Sequence, residues 1–533
     1  MACAAATLGL YALLLGVARD IKAARPSHAW ELFPWVERLA RGREDQQALH
    51  AAAAGPILGL LLAVLLIYGL AMYLVAGRRS RLLEVLVFGS GALFLIVQLF
   101  GAALLSNDVY SYIMHGRIFG VYGGNPNLEA PRQFPGDLYL RLVEWRNAPS
   151  SRGPLWTILS AGLALVGGER IGVTVLLFRS LGTVAALAAA ATLWSCLRQL
   201  APRQTSLGLV LFLWNPLVVL ESGLSGHSDI VMAALLLLAF RLHLRRRRAL
   251  ASAALVLAVL IKFIAGLIVP LYVLLILREA PSWSQRARHL AVCGASATVV
   301  LALVHGAAGV RPDVPVFQAL RAEGGRYTHT VHELVFTALR LQLGDEPKTA
   351  RAPWQREQWI RERANESAEP TPAATQATLW LRSATWLAFG LVWLLAAWRV
   401  ADPRTFLISS TAVFLAFYWL VGTWVQPWYV IWALALAALV PTSRPAQLAV
   451  LLSVGLLSVY VTGGYDYADS PLWWLYAYRS LPAFVLPILI FALIELARRQ
   501  DPHATSDDAE AAVGVQSDCL GKRAVLLGKD AGG

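Results

Sequence analysis

Charge is scarce in this chain: 15% of its 533 residues are Asp, Glu, Lys or Arg, while 57% are hydrophobic. A soluble domain carries charge at about a quarter of its positions and breaks its apolar runs often. Here such runs approach bilayer length, as from Ile57 to Val75 and from Val85 to Leu105, with a shorter one from Ala291 to Val304. Cysteine is scarcer still. Cys3, Cys196 and Cys293 lie in or beside apolar runs and Cys519 in the tail, which points to neither a disulfide framework nor a zinc site. No glycine-rich phosphate loop opens a helix, and no RNA- or DNA-binding module is present. The net charge of +13 therefore needs an explanation other than nucleic acid.

A helix rises about 1.5 Å per residue, so roughly 20 apolar residues cross a hydrocarbon core of about 30 Å. Backbone groups in lipid must satisfy one another within the segment, so these runs read as helices. The excess positive charge sits beside them: Arg78 to Arg81, Arg245 to Arg248 and Arg498 to Arg499 each adjoin a run. Clusters of that kind mark cytoplasmic loops. The expected fold class is an all-α polytopic membrane protein of about fourteen spans with both termini cytoplasmic. The spans fall at 2–18, 54–77, 82–105, 171–197, 205–221, 228–242, 249–262, 263–277, 289–309, 378–399, 404–422, 427–441, 446–462 and 478–497. The first lacks a basic leader and a clear cleavage site, so it reads as a span rather than a removed signal peptide. The stretch 249–277 fits either one long tilted helix or two short ones turning near Lys262. The apolar stretch Pro154 to Val166 is assigned to the outer surface, because counting it as a span would put Arg198 and Arg203 outside.

Two outer loops, 106–170 and 311–376, are too long to be turns. The second carries Trp354, Trp359 and the charged run Arg356 to Arg363, which suggests interfacial helices lying on the bilayer. The expected organisation is a transmembrane domain over 1–500 and a disordered cytoplasmic tail over 501–533.

Hydropathy leaves certain residues unexplained. Asp108 falls where the third span meets the outer face, suitably placed to take a proton from a hydroxyl. Capping of a short helix is the plainer role for an aspartate there. Tyr110, Tyr112, His115 and Arg117 follow it on that helix, before Gly120, Gly123, Gly124 and Pro126 break it. In SSRGPLW, Arg152 offers a fork of donors for a phosphate or carboxylate beside a Gly-Pro turn. Arg179 lies inside a span, at an insertion cost of about 2.5–3.5 kcal/mol, and so needs a partner, a wet cavity or a path to the surface. Asn215-Pro216 breaks the next span, and Glu221, His227 and Asp229 cluster after it. Capping explains Ser228 or Asp229 as well as metal binding does. Lys262 can snorkel or bind an anionic headgroup. Gln426, Trp428 and Tyr429, in TWVQPWYVIW, fit an interfacial belt, or a slot for a sugar ring or isoprenoid chain. A last outer loop adds Asp466 and Asp469, with Arg479 beyond.

The order of these segments resembles the C-type (GT-C) membrane glycosyltransferases. DVYSYIMHGR, the GGNPN turn and SSRGPLW look like the first outer loop of bacterial polyprenyl-phosphomannose-dependent mannosyltransferases, and GHSDIVMAALLLLA, IKFIAGLIVPLYVL and QPWYVIW match further segments. The likeness covers about residues 82 to 440. It implies inverting transfer of a hexose, best mannose, from a polyprenyl-phosphate donor to a glycan or glycolipid acceptor. The setting it implies is the outer face of a bacterial inner membrane. Asp108 would be the general base; Arg117, Arg152, Arg179 and Lys262 are candidates for the donor phosphate. Tyr110, Tyr112, His115, His227, Asp229, Gln426, Trp428 and Tyr429 are candidates for substrate contact. No organic cofactor is expected, no metal ligand is assigned, and a need for Mg or Mn stays open. Relatives often have Asn-Pro-Tyr where this chain has Asn125-Pro126-Asn127, a tyrosine near Arg152, and in some branches a second acid where this chain has Asn107. A transporter or flippase of lipid-linked sugars is the competing class; it would place ionisable residues near the midplane on broken helices.

Overall fold

The computed structural model describes residues 1–23, 46–101, 106–309, 330, 332–335, 372–462 and 480–500. Most of the second long loop, the segment with Asp466, Asp469 and Arg479, and the tail lie outside the described residues. Among those described, all regular structure is helical. In chain order the helices are α1 (Ala2–Ala23), α2 (Gln46–Val75), α3 (Arg81–Gln98), α4 (Asp108–Gly120), α5 (Pro154–Gly167), α6 (Ile171–Leu200), α7 (Thr205–Leu213) and α8 (Pro216–Val219). Next come α9 (Ser228–Leu244), α10 (Arg248–Ile261), α11 (Val269–Glu279), α12 (Trp283–Ala308), α13 (Pro372–Arg399) and α14 (Pro403–Ala416). The series closes with α15 (Ile431–Ala437), α16 (Arg444–Leu456), α17 (Val459–Thr462) and α18 (Leu486–Gln500).

Seven helical stretches among the described residues are long and apolar enough to cross a membrane. An eighth is gained if the pair Pro202–Leu213 and Pro216–Leu224, bent by 55°, counts as one broken span. This is fewer than the expected count of about fourteen. Part of the difference comes from short apolar helices that polar breaks keep below bilayer length. Asn215-Pro216 ends α7 after nine residues, and Lys262, in extended backbone, ends α10 after 14. The stretch 249–277 is thus two short helices, joined by a 3-10 turn over Phe263–Ile268. The 154–166 stretch is a 14-residue helix packed against α4, α6, α10 and α12.

Burial separates the centre of the bundle from its rim. The apolar window of α6 is 56% buried, whereas those of α12 and α13 are each 11% buried. A helix with so little protein cover keeps its leucines outward, as Leu303, Leu387 and Leu391 do, and that is stable only where the surroundings are lipid.

The hairpin of α9 and α10 gives the bundle two chemically different ends, about 25 Å apart along α9. One end has Asp229 and Lys262. At the other, Glu279 receives Arg246 at 2.9 Å, Arg248 at 3.1 Å and His243 at 3.2 Å. Arg246 turns the hairpin there with a positive φ of 58°. Side-chain caps gather near arginines as well: Ser80, Ser282, Asp402 and Ser443 each accept a first-turn N–H.

Candidate active site

Helical spacing decides which side chains of α4 can meet. Residues four and seven positions beyond Asp108 share its face, which brings Tyr112 and His115 into line with it. Tyr110 and Arg117 fall on the opposite face, Arg117 about two and a half turns away. The contacts follow that division. Arg117 lies in a buried ion pair, Nε to Asp137 Oδ2 at 2.6 Å, with its guanidinium 5.1 Å from the Tyr139 ring centroid. Buried Tyr110 faces the charge of Arg179. Arg179 finds its partners in backbone: its Nη1 donates to Leu99 O at 3.1 Å and Gly101 O at 2.6 Å. Those two carbonyls follow the last residue of α3, where the helix leaves oxygens without internal donors. Arg117 and Arg179 therefore stand apart from the residues gathered around Tyr112.

Asp108 is the first residue of α4, half-buried at the positive end of the helix dipole. It is not the cap: Asn107 holds that position without a side-chain bond, and Ser106 Oγ accepts the Asp108 N–H at 3.2 Å. The carboxylate receives Trp145 Nε1 at 3.2 Å on Oδ1, its one hydrogen bond among the described residues. Trp145 meets Trp424 edge to face, with centroids 5.4 Å apart. His115 Nε2 bonds Ala148 O at 3.3 Å and ties this loop to α4; burial, above all, pulls its imidazole down to about 4.

Arg152 is delivered by tight backbone packing. Gly153 N–H donates to Ile261 O at 3.1 Å, and a Cβ at Gly153 would stand 2.1 Å from Leu260 O. Only glycine permits that approach of the loop to the end of α10. Asn127 reinforces it, its Nδ2 donating to Ser150 O at 2.7 Å and Arg152 O at 3.1 Å. The residue that departs from the usual Asn-Pro-Tyr is thus what fastens the Arg152 loop. Arg152 Nη2 reaches Tyr112 OH at 3.2 Å, and its guanidinium lies 5.5 Å from that ring's centroid.

Beneath these lies a layer centred on the fully buried His227 and Asp229. Tyr112 OH is 3.0 Å from His227 Nδ1, and the His227 ring stacks on Trp428 at 3.8 Å. Asp229 Oδ1 takes Lys262 Nζ at 2.7 Å and Trp432 Nε1 at 2.6 Å. The same ammonium sits 3.7 Å from the Tyr429 centroid and 4.5 Å from that of Trp432, an aromatic box around a cation. Tyr112 is within electrostatic reach of both Asp108 and Asp229 as well as Arg152, which makes the two layers one neighbourhood. Half-buried Gln426 begins the turn that carries Trp428 and Tyr429.

Of the expected residues, Asp108, Tyr112, His115, Arg152, His227, Asp229, Lys262, Trp428 and Tyr429 gather here. Three partners were missed by sequence reading: Trp145, Trp432, and Asp137 as the counter-ion of Arg117. An indole 37 residues from Asp108 carries no local signal of that contact. Among the described residues no group of three or more His, Cys, Asp or Glu side chains converges as a metal site.

The family model described as Alpha-(1->6)-mannopyranosyltransferase, N-terminal domain, matches residues 6–278. Alpha-(1->6)-mannopyranosyltransferase A of Corynebacterium glutamicum is 27% identical over 178 residues, which is 33% of this chain and 36% of that protein. The chain thus aligns with about a third of the curated relative's length. The family match contains Asp108, Arg152, His227, Asp229 and Lys262, whereas Gln426, Trp428 and Tyr429 come from beyond it.

Proposed function

Because the chain belongs to the Alpha-(1->6)-mannopyranosyltransferase family, we propose that it transfers mannose from a polyprenyl-phosphate donor to a glycan or glycolipid acceptor at the outer face of a bacterial inner membrane. The observation that carries this reading is the meeting of Asp108, Tyr112 and Arg152 above the buried Asp229–Lys262 pair. Arg152 is a guanidinium at the mouth of a buried layer, suited to hold a lipid phosphate by charge-assisted bonds. Asp108, fixed on one oxygen by Trp145, keeps its second oxygen for an acceptor hydroxyl. That hydroxyl, losing its proton to Asp108, attacks the anomeric carbon; the bond to the phosphate oxygen breaks and the sugar inverts. The leaving phosphate gathers negative charge, which Arg152 and, behind it, Lys262 stabilise.

In this reading Arg117 and Arg179 are framework, since their hydrogen bonds already hold the loop and the end of α3. Tyr110 and His115 orient α4, and the Gln426–Tyr429 turn closes the far wall. A chain with more crossings than the helices that pass on length alone also follows, with the short helices completing spans in pairs.

The test uses membranes supplied with radiolabelled polyprenyl-phosphate mannose. Asp108→Ala and Asp108→Asn are each expected to slow transfer by at least about 100-fold. Undiminished transfer by both variants refutes the base assignment. Among the described residues, the broken span at Asn215-Pro216 favours a transporter. Movement of a lipid-linked sugar across vesicles without any transfer product would establish that reading instead.

A further inference from the structure

Three irregularities of backbone occur within 12 residues: the break at Asn215-Pro216, a π-helical turn over Leu220–Leu224, and a left-handed Gly226 with φ of 65°. Each interrupts a segment that hydropathy alone would make one straight span. A π-turn costs helix stability and commonly marks a functional position. What these breaks accomplish is to put Glu221 and His227, both with no exposed side-chain surface, side by side in the apolar interior.

The contacts around them begin at Arg152, which can only donate. Tyr112 OH accepts from Arg152 Nη2 at 3.2 Å and lies 3.0 Å from His227 Nδ1, to which it donates its own hydrogen when the ring hydrogen of His227 is on Nε2. Nε2 is 3.1 Å from Glu221 Oε2, a contact without ideal alignment in which neither atom has another partner. Tyr460 donates to the other oxygen of Glu221. The contacts Arg152 to Tyr112, Tyr112 to His227 and His227 to Glu221 thus run inward one after another, and Trp428 stacked on the imidazole fixes its plane. Linked polar contacts in a low-dielectric interior reinforce one another.

We infer that Glu221 and His227 are positioning residues: they hold the Tyr112 hydroxyl, and through it the Arg152 guanidinium, in the orientation that receives the donor phosphate. The inference rests on the donor site proposed above. A carboxylate buried only to glue helices would serve equally well without a link to Arg152. Here the contacts lead directly to that side chain.

The experiment measures retention of radiolabelled decaprenyl phosphate by the full chain in nanodiscs. Glu221→Gln removes the charge and keeps the shape; it is expected to weaken retention roughly tenfold, and to do nothing further in an Arg152→Ala background. Tyr112→Phe, which keeps the ring under Arg152 but removes the hydroxyl, is expected to match Glu221→Gln and serves if that variant folds poorly. Glu84→Gln, a buried carboxylate bonded to Trp194 in the arginine-rich half, is expected to leave retention unchanged. Equal losses from Glu221→Gln with and without Arg152, or no loss at all, overturn the positioning role alone. Wild-type protein that retains no decaprenyl phosphate overturns the donor site itself, and the positioning role with it.

Discussion

The Asp229–Lys262 pair offers the sharpest quantitative test of how the site is held. Asp229 has no exposed side-chain surface and Lys262 has 11%, at a separation of 2.7 Å. Taking Lys262 to Met removes the charge that neutralises a fully buried carboxylate, leaving it, among the described residues, the Trp432 indole and Ser228 hydroxyl as donors. Breaking a buried pair from one side costs about 3–5 kcal/mol. Asp229→Asn should cost less, about 2–3 kcal/mol, because the amide oxygen still accepts from Trp432 and the ammonium stays over two aromatic faces. The double variant removes both charges and leaves neither stranded. Its cost should fall below the sum of the singles by at least about 2 kcal/mol. Unfolding midpoints in SDS titrations of the purified protein, followed by circular dichroism, give all four corners of the cycle. Additive costs, or single variants within about 1 kcal/mol of wild type, would refute the pairing.

Other substitutions probe the layer above. Gly153→Ala forces Leu260 O to move, at a cost of about 1–3 kcal/mol, and should slow transfer by at least tenfold because Arg152 shifts with the loop; a normal rate would show that the approach is not needed. Trp145→Phe keeps an aromatic ring but removes the donor to Asp108, and a fall of about tenfold in kcat with little change in acceptor KM is expected. For His115, burial favours the neutral imidazole, so the unfolded chain binds a proton near pH 6.5 that the folded chain takes up only near 4. Its contribution is fully present above 6.5 and is lost as pH falls towards 4, a span worth roughly 3 kcal/mol. His115→Gln can still donate to Ala148 O and should flatten that part of the stability profile measured by thermal unfolding; an unchanged slope would place the titration elsewhere.

Membrane residence, helical class and the arginine-rich end were legible in the sequence because each is a local property. Low charge, long apolar runs and arginines beside them need no knowledge of contacts. Asp108 was legible as well: a carboxylate at the end of an apolar run stands out before any partner is known. In sequence Tyr110 groups with Tyr112 and His115, and only the folded helix shows it on the opposite face, with Arg117. The break near Lys262 was visible only as one of two alternatives, since hydropathy cannot register the extended backbone of a single residue. Which cations remain at the site was decided by tertiary structure. Arg117 and Arg152 look alike in a list of arginines, but a loop returning through Asp137 engages the first and a glycine at 153 brings the second to Tyr112. The deepest contacts join residues 203 and 239 positions apart, Asp229 with Trp432 and Glu221 with Tyr460. Composition and periodicity act over a few turns of helix and so determined the medium and the helices. The partners of a buried charge depend on which distant segments pack beside it, and only the folded bundle sets that.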